Sequence, residues 1–220
     1  MVMKIFSTGG NNGRSALVIC NGEVLSNIAI APLLRKKPFI VCADGGANRA
    51  RKLGIRPDVI IGDLDSITPS TKKFFSNVET IKVESQFSTD LEKALDYLVK
   101  HRYRSAVVVG AIGGRPDHSL SNFSILKKYH GRIHLMFSDS LCDIQIIDRK
   151  IVFESGIGSV ISLLPLGRCD GITTAGLEFP LHNESLELGV REGTSNTVIW
   201  SPVRISVKKG SLLLFVIKPK

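Results

Sequence analysis

The sequence predicts an α/β protein, with an N-terminal doubly wound, mostly parallel sheet and a C-terminal antiparallel β-sandwich domain. Three observations predict it. Continuous Val/Ile runs alternate with helical stripes from Ser15 to about residue 147, the pattern of a parallel sheet covered on both faces. From residue 148 the texture changes to short β-rich runs broken by glycines such as Gly156, Gly167, Gly176, Gly189 and Gly210, with no helical stripe between them. Aspartates stand just past the apolar runs, on the edge where an open sheet gathers the carboxyl ends of its strands and binds ligands.

Taken in order, residues 1–14 read as a flexible tail. Ser7-Thr8-Gly9-Gly10-Asn11-Asn12-Gly13 has turn composition, and no Gly-Lys-Ser/Thr follows to make it a Walker A loop. Residues 15–147 form the α/β domain, with strands expected at Ala16–Cys20, Phe39–Ala43, Val59–Ile61, Val78–Val83, Ala106–Val109 and Ile133–Phe137. A helix from Ala47 to Leu53 stops at Gly54, a residue suited to the left-handed C′ position. Leu91, Ala94, Leu95 and Leu98 make a second helical stripe, opened by the capping box Thr89-x-x-Glu92. Leu120, Phe123, Leu126 and Tyr129 make a third, stopped by Gly131. Residues 148–220 form the second domain. Its expected strands are Ile151–Glu154, Ser159–Leu164, Ile172–Thr174, Asn196–Trp200, Val203–Val207 and Leu212–Ile217.

Composition excludes several classes. The longest apolar run, Leu212 to Ile217, is strand-sized and far short of a membrane span, so no membrane partner is expected. Cys20, Cys42, Cys142 and Cys169 are widely spaced without a C-x-x-C, and no secretory signal is read at the N-terminus; a reducing, cytoplasmic setting is expected. A net charge of +9 could indicate nucleic acid. The basic residues are dispersed, however, and aromatics make up only 6% of the chain and do not interleave with them. That is not a strand-binding platform, so the charge is assigned to solvated helix faces and attraction for an anionic substrate, with no nucleic acid.

The chemistry lies in the acidic segments. Asp44 follows Val41-Cys42-Ala43 and precedes Gly45-Gly46; Asp63 and Asp65 follow Val59-Ile60-Ile61-Gly62. If that strand continues, Asp63 and Asp65 share a face, since alternate strand residues do, and both reach one Mg²⁺, which takes one or two carboxylates and keeps water and phosphate ligands. Alone, a D-x-D after a strand is equally a turn. Asp90 opens a helix, where the dipole favours an ionised acid; by itself that is a minor stabilising feature. In Gly113-Gly114-Arg115-Pro116-Asp117-His118, glycines lead into a helix whose first turn is set by Pro116. Arg115 carries the fork that grips phosphate oxygens. Carboxylates gathered beside glycine-rich turns indicate Mg-nucleotide chemistry.

Val59 to Ile67 also resembles the first motif of haloacid-dehalogenase-type phosphatases, in which Asp63 would be a nucleophile. Ile67 is wrong at the fifth position, and two strand–helix units come first. The ordered set Cys42 to Asn48, Pro57 to Ser66, Thr89 to Leu95 and Gly113 to His118 with Asn122, followed by Thr174 to Leu181 and Thr194-Ser195-Asn196, resembles the thiamine pyrophosphokinase family. The resemblance runs over nearly everything from Ser15 onward.

It implies transfer of the pyrophosphoryl group of ATP to the thiamine hydroxyl, giving thiamine diphosphate and AMP. Asp44, Asp63, Asp65 and Asp90 would surround Mg²⁺ and the triphosphate. Gln86, Thr89, Arg115, Asp117 and His118 would line the nucleotide and pyrophosphate path, with Asp63, Asp65, Asp90 and Arg115 catalytic. Phe179, Ser195 and Asn196 would help hold thiamine, in a homodimer whose thiamine site lies at the subunit interface. Phe87 stands where many members have an acid, and Glu178-Phe179 replaces the usual basic residue and Tyr or Trp. A same-fold pyrophosphokinase acting on another alcohol, such as a pterin, is the alternative; a non-catalytic nucleotide- or nucleic-acid-binding module is a third, which clustered carboxylates disfavour.

Overall fold

The computed structural model of the chain describes residues 13–23, 26–85, 87–113 and 115–218. They divide into two compact units, one from Gly13 to Ser140 and the other beginning at Leu141. In the first, strands β1 (Ser15–Ile19), β2 (Phe39–Ala43), β3 (Val59–Gly62), β4 (Glu79–Lys82), β5 (Ser105–Val109) and β6 (His134–Ser138) alternate with helices α1 (Asn27–Leu34), α2 (Gly46–Lys52), α3 (Pro69–Phe74), α4 (Asp90–Lys100) and α5 (Pro116–Tyr129). Within this unit the strand order is β6-β5-β1-β2-β3-β4, and each pairing is parallel. The winding reverses between β1 and β5, so their carboxyl ends flank a topological switch point.

Local sequence explains the layers. β3 and β5, reading VIIG and SAVVV, are buried along their whole length, as strands covered on both faces must be. β4, reading ETIK, is largely exposed and carries charge at both ends, which suits the sheet edge. α4 crosses β1, β2 and β3 with Leu91, Ala94, Leu95 and Leu98 buried beneath it; full burial of a leucine contributes roughly 2 kcal/mol. Its capping box is complete: Thr89 Oγ1 accepts from Glu92 N at 3.3 Å, and Thr89 N donates to Glu92 Oε2 at 2.8 Å. Tyr129, fully buried at the end of α5, donates its hydroxyl to Asp96 Oδ1 of α4 at 2.9 Å. Gly54 and Gly131 both take the left-handed conformation expected of helix stops, with φ of 67° and 80°.

α1 and α3 were not expected. α1, NIAIAPLL, is apolar almost all round and contains Pro32, so it offers no polar face from which a helical period can be read. α3 is short, begins with Pro69 behind the N-cap Thr68, and carries little apolar pattern. Residues 1–12 of the expected tail lie outside the described residues. Arg14 is anchored: its guanidinium donates to the Tyr103 hydroxyl at 2.6 Å and lies 4.2 Å over that ring.

The second unit contains β7 (Cys142–Ile147), β8 (Lys150–Phe153), β9 (Val160–Pro165), β10 (Arg168–Ala175), β11 (His182–Glu187), β12 (Gly193–Thr197), β13 (Val203–Ser206) and β14 (Leu212–Ile217). Antiparallel pairing gives the orders β12-β9-β14-β7 and β11-β10-β13-β8. Ile161, Leu163, Leu212 and Leu214 from the first sheet and Ile172, Leu186, Val203 and Ile205 from the second share one core, which makes the unit a sandwich. β7 pairs with β14 along its whole length, so Cys142–Ile147 belongs here and not at the end of the α/β unit, ahead of the boundary expected at 148. Among the described residues no helix is long and apolar enough to cross a membrane.

Candidate active site

Asp44, Asp63 and Asp65 come together beyond the ends of β2 and β3, with one carboxylate oxygen from each lying within 4.8 Å of the others. The reason differs from the one expected. β3 stops at Gly62, and Leu64 takes a left-handed φ of 70°, so a turn and not a continuing strand brings Asp63 and Asp65 to one side. Asp65 N donates to Asp63 Oδ1 at 3.3 Å inside that turn. Asp44 is also left-handed, with φ of 42°, a conformation aspartate tolerates better than most residues. Gly62 permits the approach of the two strand ends: a Cβ there would lie 2.6 Å from Asp44 Cβ. Gly46 does the same for α2, since a Cβ would fall 1.9 Å from the Ile19 carbonyl oxygen.

Asp44 is 2% exposed. Its Oδ2 accepts from Ser66 N at 3.1 Å, while Oδ1 is buried with no hydrogen-bond partner. Burial raises its carboxyl above the ordinary value, and Asp90 adds to this, against the lowering effect of the Ser66 hydrogen bonds. A buried carboxylate oxygen without a partner is costly, and a hard cation is what would relieve it. Three carboxylates and no soft ligand fit Mg²⁺. Asn48 secures the turn, donating to Ser66 O at 2.8 Å and accepting from Thr68 N at 3.1 Å. Sequence reasoning gave Asn48 and Ser66 no role of their own; an asparagine just inside the helix after Asp44-Gly45-Gly46 was the available signal.

Asp90 stands at the first position of α4 and is not among the three clustered carboxylates. Its Oδ1 accepts from Lys93 Nζ at 2.9 Å, and the same ammonium lies 3.7 Å from Asp63 Oδ2. Burial alone would lower the Lys93 ammonium, but the hydrogen bond and charge of Asp90, with Asp63 and Asp44 behind it, outweigh that and hold it above its ordinary value. Thr89 is occupied as the N-cap. Gln86 lies outside the described residues.

Arg115 and Asp117 pair with each other. Arg115 Nε and a terminal nitrogen donate to the two carboxylate oxygens at 3.1 and 2.6 Å, both side chains mostly exposed. The Arg115 hydrogen bond leads the effects that hold the Asp117 carboxyl down to about 2. His118 is exposed in the first turn of α5. Asn122 Nδ2 donates to Ala111 O at 2.6 Å and fixes the loop leaving β5. The loops at the switch point meet through Gly22 N and Gly110 O at 3.0 Å.

In the second unit, Phe179 is 68% exposed and Trp200 67% exposed. They stand on two segments held together by Glu178 N to Thr197 O at 2.9 Å and Trp200 N to Gly176 O at 3.2 Å. Asn196 clamps the Phe179 backbone: Oδ1 accepts from Phe179 N at 3.1 Å and Nδ2 donates to Phe179 O at 2.7 Å. Ser195 is left-handed, with φ of 57°, at an irregularity between β12 and β9, and its N donates to Ser162 Oγ at 3.0 Å.

Known proteins resemble the chain in sequence and in fold. The family described as thiamin pyrophosphokinase, catalytic domain, matches residues 30–137, and that described as thiamin pyrophosphokinase, vitamin B1 binding domain, matches residues 146–212. The chain is 33% identical over 207 residues to thiamine pyrophosphokinase 1 of Oryza sativa subsp. japonica, covering 80% of this chain and 78% of that one. It is 31% identical over 239 residues to thiamine pyrophosphokinase 1 of Arabidopsis thaliana, covering 94% and 87%. In fold it is similar to the crystal structure of thiamine pyrophosphokinase from Bacillus subtilis, with a TM-score of 0.84 at 24% identity over 94% of this chain and 100% of that one. The yeast enzyme's structure gives a TM-score of 0.82 at 20% identity, over 97% and 89%. Two family matches that meet the α/β unit and the sandwich in the right order, with relatives above 30% identity over most of the chain, make it a member of the thiamine pyrophosphokinase family.

Proposed function

We propose that the chain transfers the pyrophosphoryl group of ATP to the hydroxyl of thiamine, giving thiamine diphosphate and AMP. The observation that carries this reading is the Asp44, Asp63, Asp65 group, with its buried and unpartnered Asp44 Oδ1. Bound there, Mg²⁺ would neutralise charge on the triphosphate and polarise the β-phosphorus. The chain's own residues do the rest. Asp44, set in its buried position by Ser66, fixes one ligand direction. Asp63 and Asp65 offer the others, and a carboxylate oxygen of this pair accepts the hydrogen of the thiamine hydroxyl and so aims its oxygen. Asp90 at the head of α4 and Thr89 before it border the same strand ends, and Gln86 belongs to this path in the proposal. Arg115 releases an exposed carboxylate, a partner worth little in water, and turns its fork to the phosphates, with Asp117 and His118 beside it.

Phe179 supplies an exposed aromatic face for a flat, cationic ligand, and Ser195 a hydroxyl. Asn196 enters the proposal chiefly as the residue that shapes the Phe179 turn, because its amide already serves that backbone. A second copy of the chain is proposed to bring Phe179 to the carboxylates, which gives an isologous homodimer. Exposed Ile199 and Trp200 support a protein contact next to Phe179. A cytoplasmic setting is part of the proposal, supported by Cys20 and Cys42, two free thiols buried in the α/β unit. Incubation with Mg-ATP and either thiamine or a hydroxymethyl pterin tests the acceptor. AMP should form in step with thiamine consumption and not with the pterin; the reverse preference would sink the thiamine assignment.

A further inference from the structure

Lys93 has no part in the steps above, yet its surroundings are unusual. Its side chain is 4% exposed, with Nζ 2.9 Å from Asp90 Oδ1 and 3.7 Å from Asp63 Oδ2. A buried ammonium is costly unless paired. The first turn of a helix is also the wrong end for a cation, because the dipole is positive there. The helix therefore does not favour Lys93 at this position; the carboxylates do. Asp63 belongs to the group whose third member, Asp44, keeps a buried oxygen without a partner, so the ammonium neutralises one side of the group and leaves the other open.

We propose that Lys93 is a positioning residue: a built-in counter-cation that holds Asp63 and Asp90 in place before a divalent cation enters, and then competes with that cation for Asp63. The proposal rests on the reading of Asp44, Asp63 and Asp65 as the metal site. It supplies a counter-charge for acids placed this close on the end of a sheet. It also means that metal binding is weaker than the carboxylates alone would give, so that the triphosphate, which brings its own charge, is needed for tight binding.

Mn²⁺ alone, titrated into nucleotide-free protein and followed by loss of the free-ion electron paramagnetic signal, reads this directly. Lys93→Met keeps the stem and removes the charge, while Lys93→Arg keeps the charge. Mn²⁺ affinity should rise on the order of tenfold in Lys93→Met, from a nearby like charge removed at partial burial, and stay near wild type in Lys93→Arg. Lys93→Met should also melt at lower temperature in EDTA and recover when Mn²⁺ is added. If that variant fails to fold, Lys93→Gln takes its place; folding of both that fails even with Mn²⁺ present overturns the proposal. So does an equal or lower Mn²⁺ affinity in a folded charge-free variant. Equal affinity with weakened ATP binding would make Lys93 a phosphate ligand instead. The underlying metal-site reading fails separately, in wild type, if Asp63→Asn leaves the Mn²⁺ titration unchanged, and the proposal falls with it.

Discussion

Asp63 and Asp65 illustrate how a short motif acquires its geometry. Leu64 between them is held left-handed at φ of 70°, a conformation that costs about 1 kcal/mol for an ordinary residue. The turn persists because Asn48, Ser66 and Thr68 tie it to α2, and it turns two carboxylates toward a third. Asp63→Asn and Asp65→Asn should each lower kcat roughly a hundredfold or more, since in the proposed reaction each would remove a metal ligand or the group that orients the hydroxyl. Both variants should fold, because repulsion among the acids falls and the Lys93 ammonium keeps its nearer partner, Asp90 Oδ1 at 2.9 Å. Steady-state kinetics with circular dichroism checks both points, and a phosphorylated Asp63 trapped in acid would instead support a dehalogenase-type mechanism. The sequence made these carboxylates legible as a group on one edge of the sheet but not their manner of meeting, because a D-x-D after a strand is consistent with either strand or turn. Lys93 falls inside the Thr89 to Leu95 segment but draws no role from sequence: at its spacing from Asp90 it reads as an ordinary exposed helix pair, and the packing of α4 on β1 to β3 buries it.

At the scale of elements, α4 carries Asp90 and Lys93 beside the clustered carboxylates. Its capping box fixes where the helix begins, and so where Asp90 and Lys93 point. Thr89→Ala should cost about 1 kcal/mol, read as a lower urea midpoint with unchanged slope, and Thr89→Ser should restore most of it. A midpoint unmoved by Thr89→Ala would show that packing alone fixes the helix start. This element was legible because cap, charge and apolar stripe all agreed. Others were not. α1 hides its period in a nearly uniform apolar run, and β11, reading HNESLE, is polar and stands at the end of its sheet beside β10, so no alternation marks it. β7, reading CDIQII, does alternate at Cys142, Ile144 and Ile146, but the run is short and polar-interrupted beside the domain boundary, and its pairing with the distant β14 is what fixes it as a strand of the sandwich.

At the scale of the whole molecule, the chemistry is divided. The carboxylates belong to the α/β unit, and the exposed aromatics Phe179 and Trp200 to the sandwich. If a second copy unites them, mixing Phe179→Ala subunits with Asp63→Asn subunits, each inactive alone, should regenerate one working site per heterodimer. Activity that stays absent, with subunit exchange verified by mass, would mean that each chain builds its site alone. The central claim, attack by the thiamine oxygen on the β-phosphorus of ATP, is tested most directly with thiamine carrying ¹⁸O in its hydroxyethyl group. Mass spectrometry of the products should find the label retained in thiamine diphosphate and none in AMP. Label in the nucleotide, or ADP as the product, would contradict it.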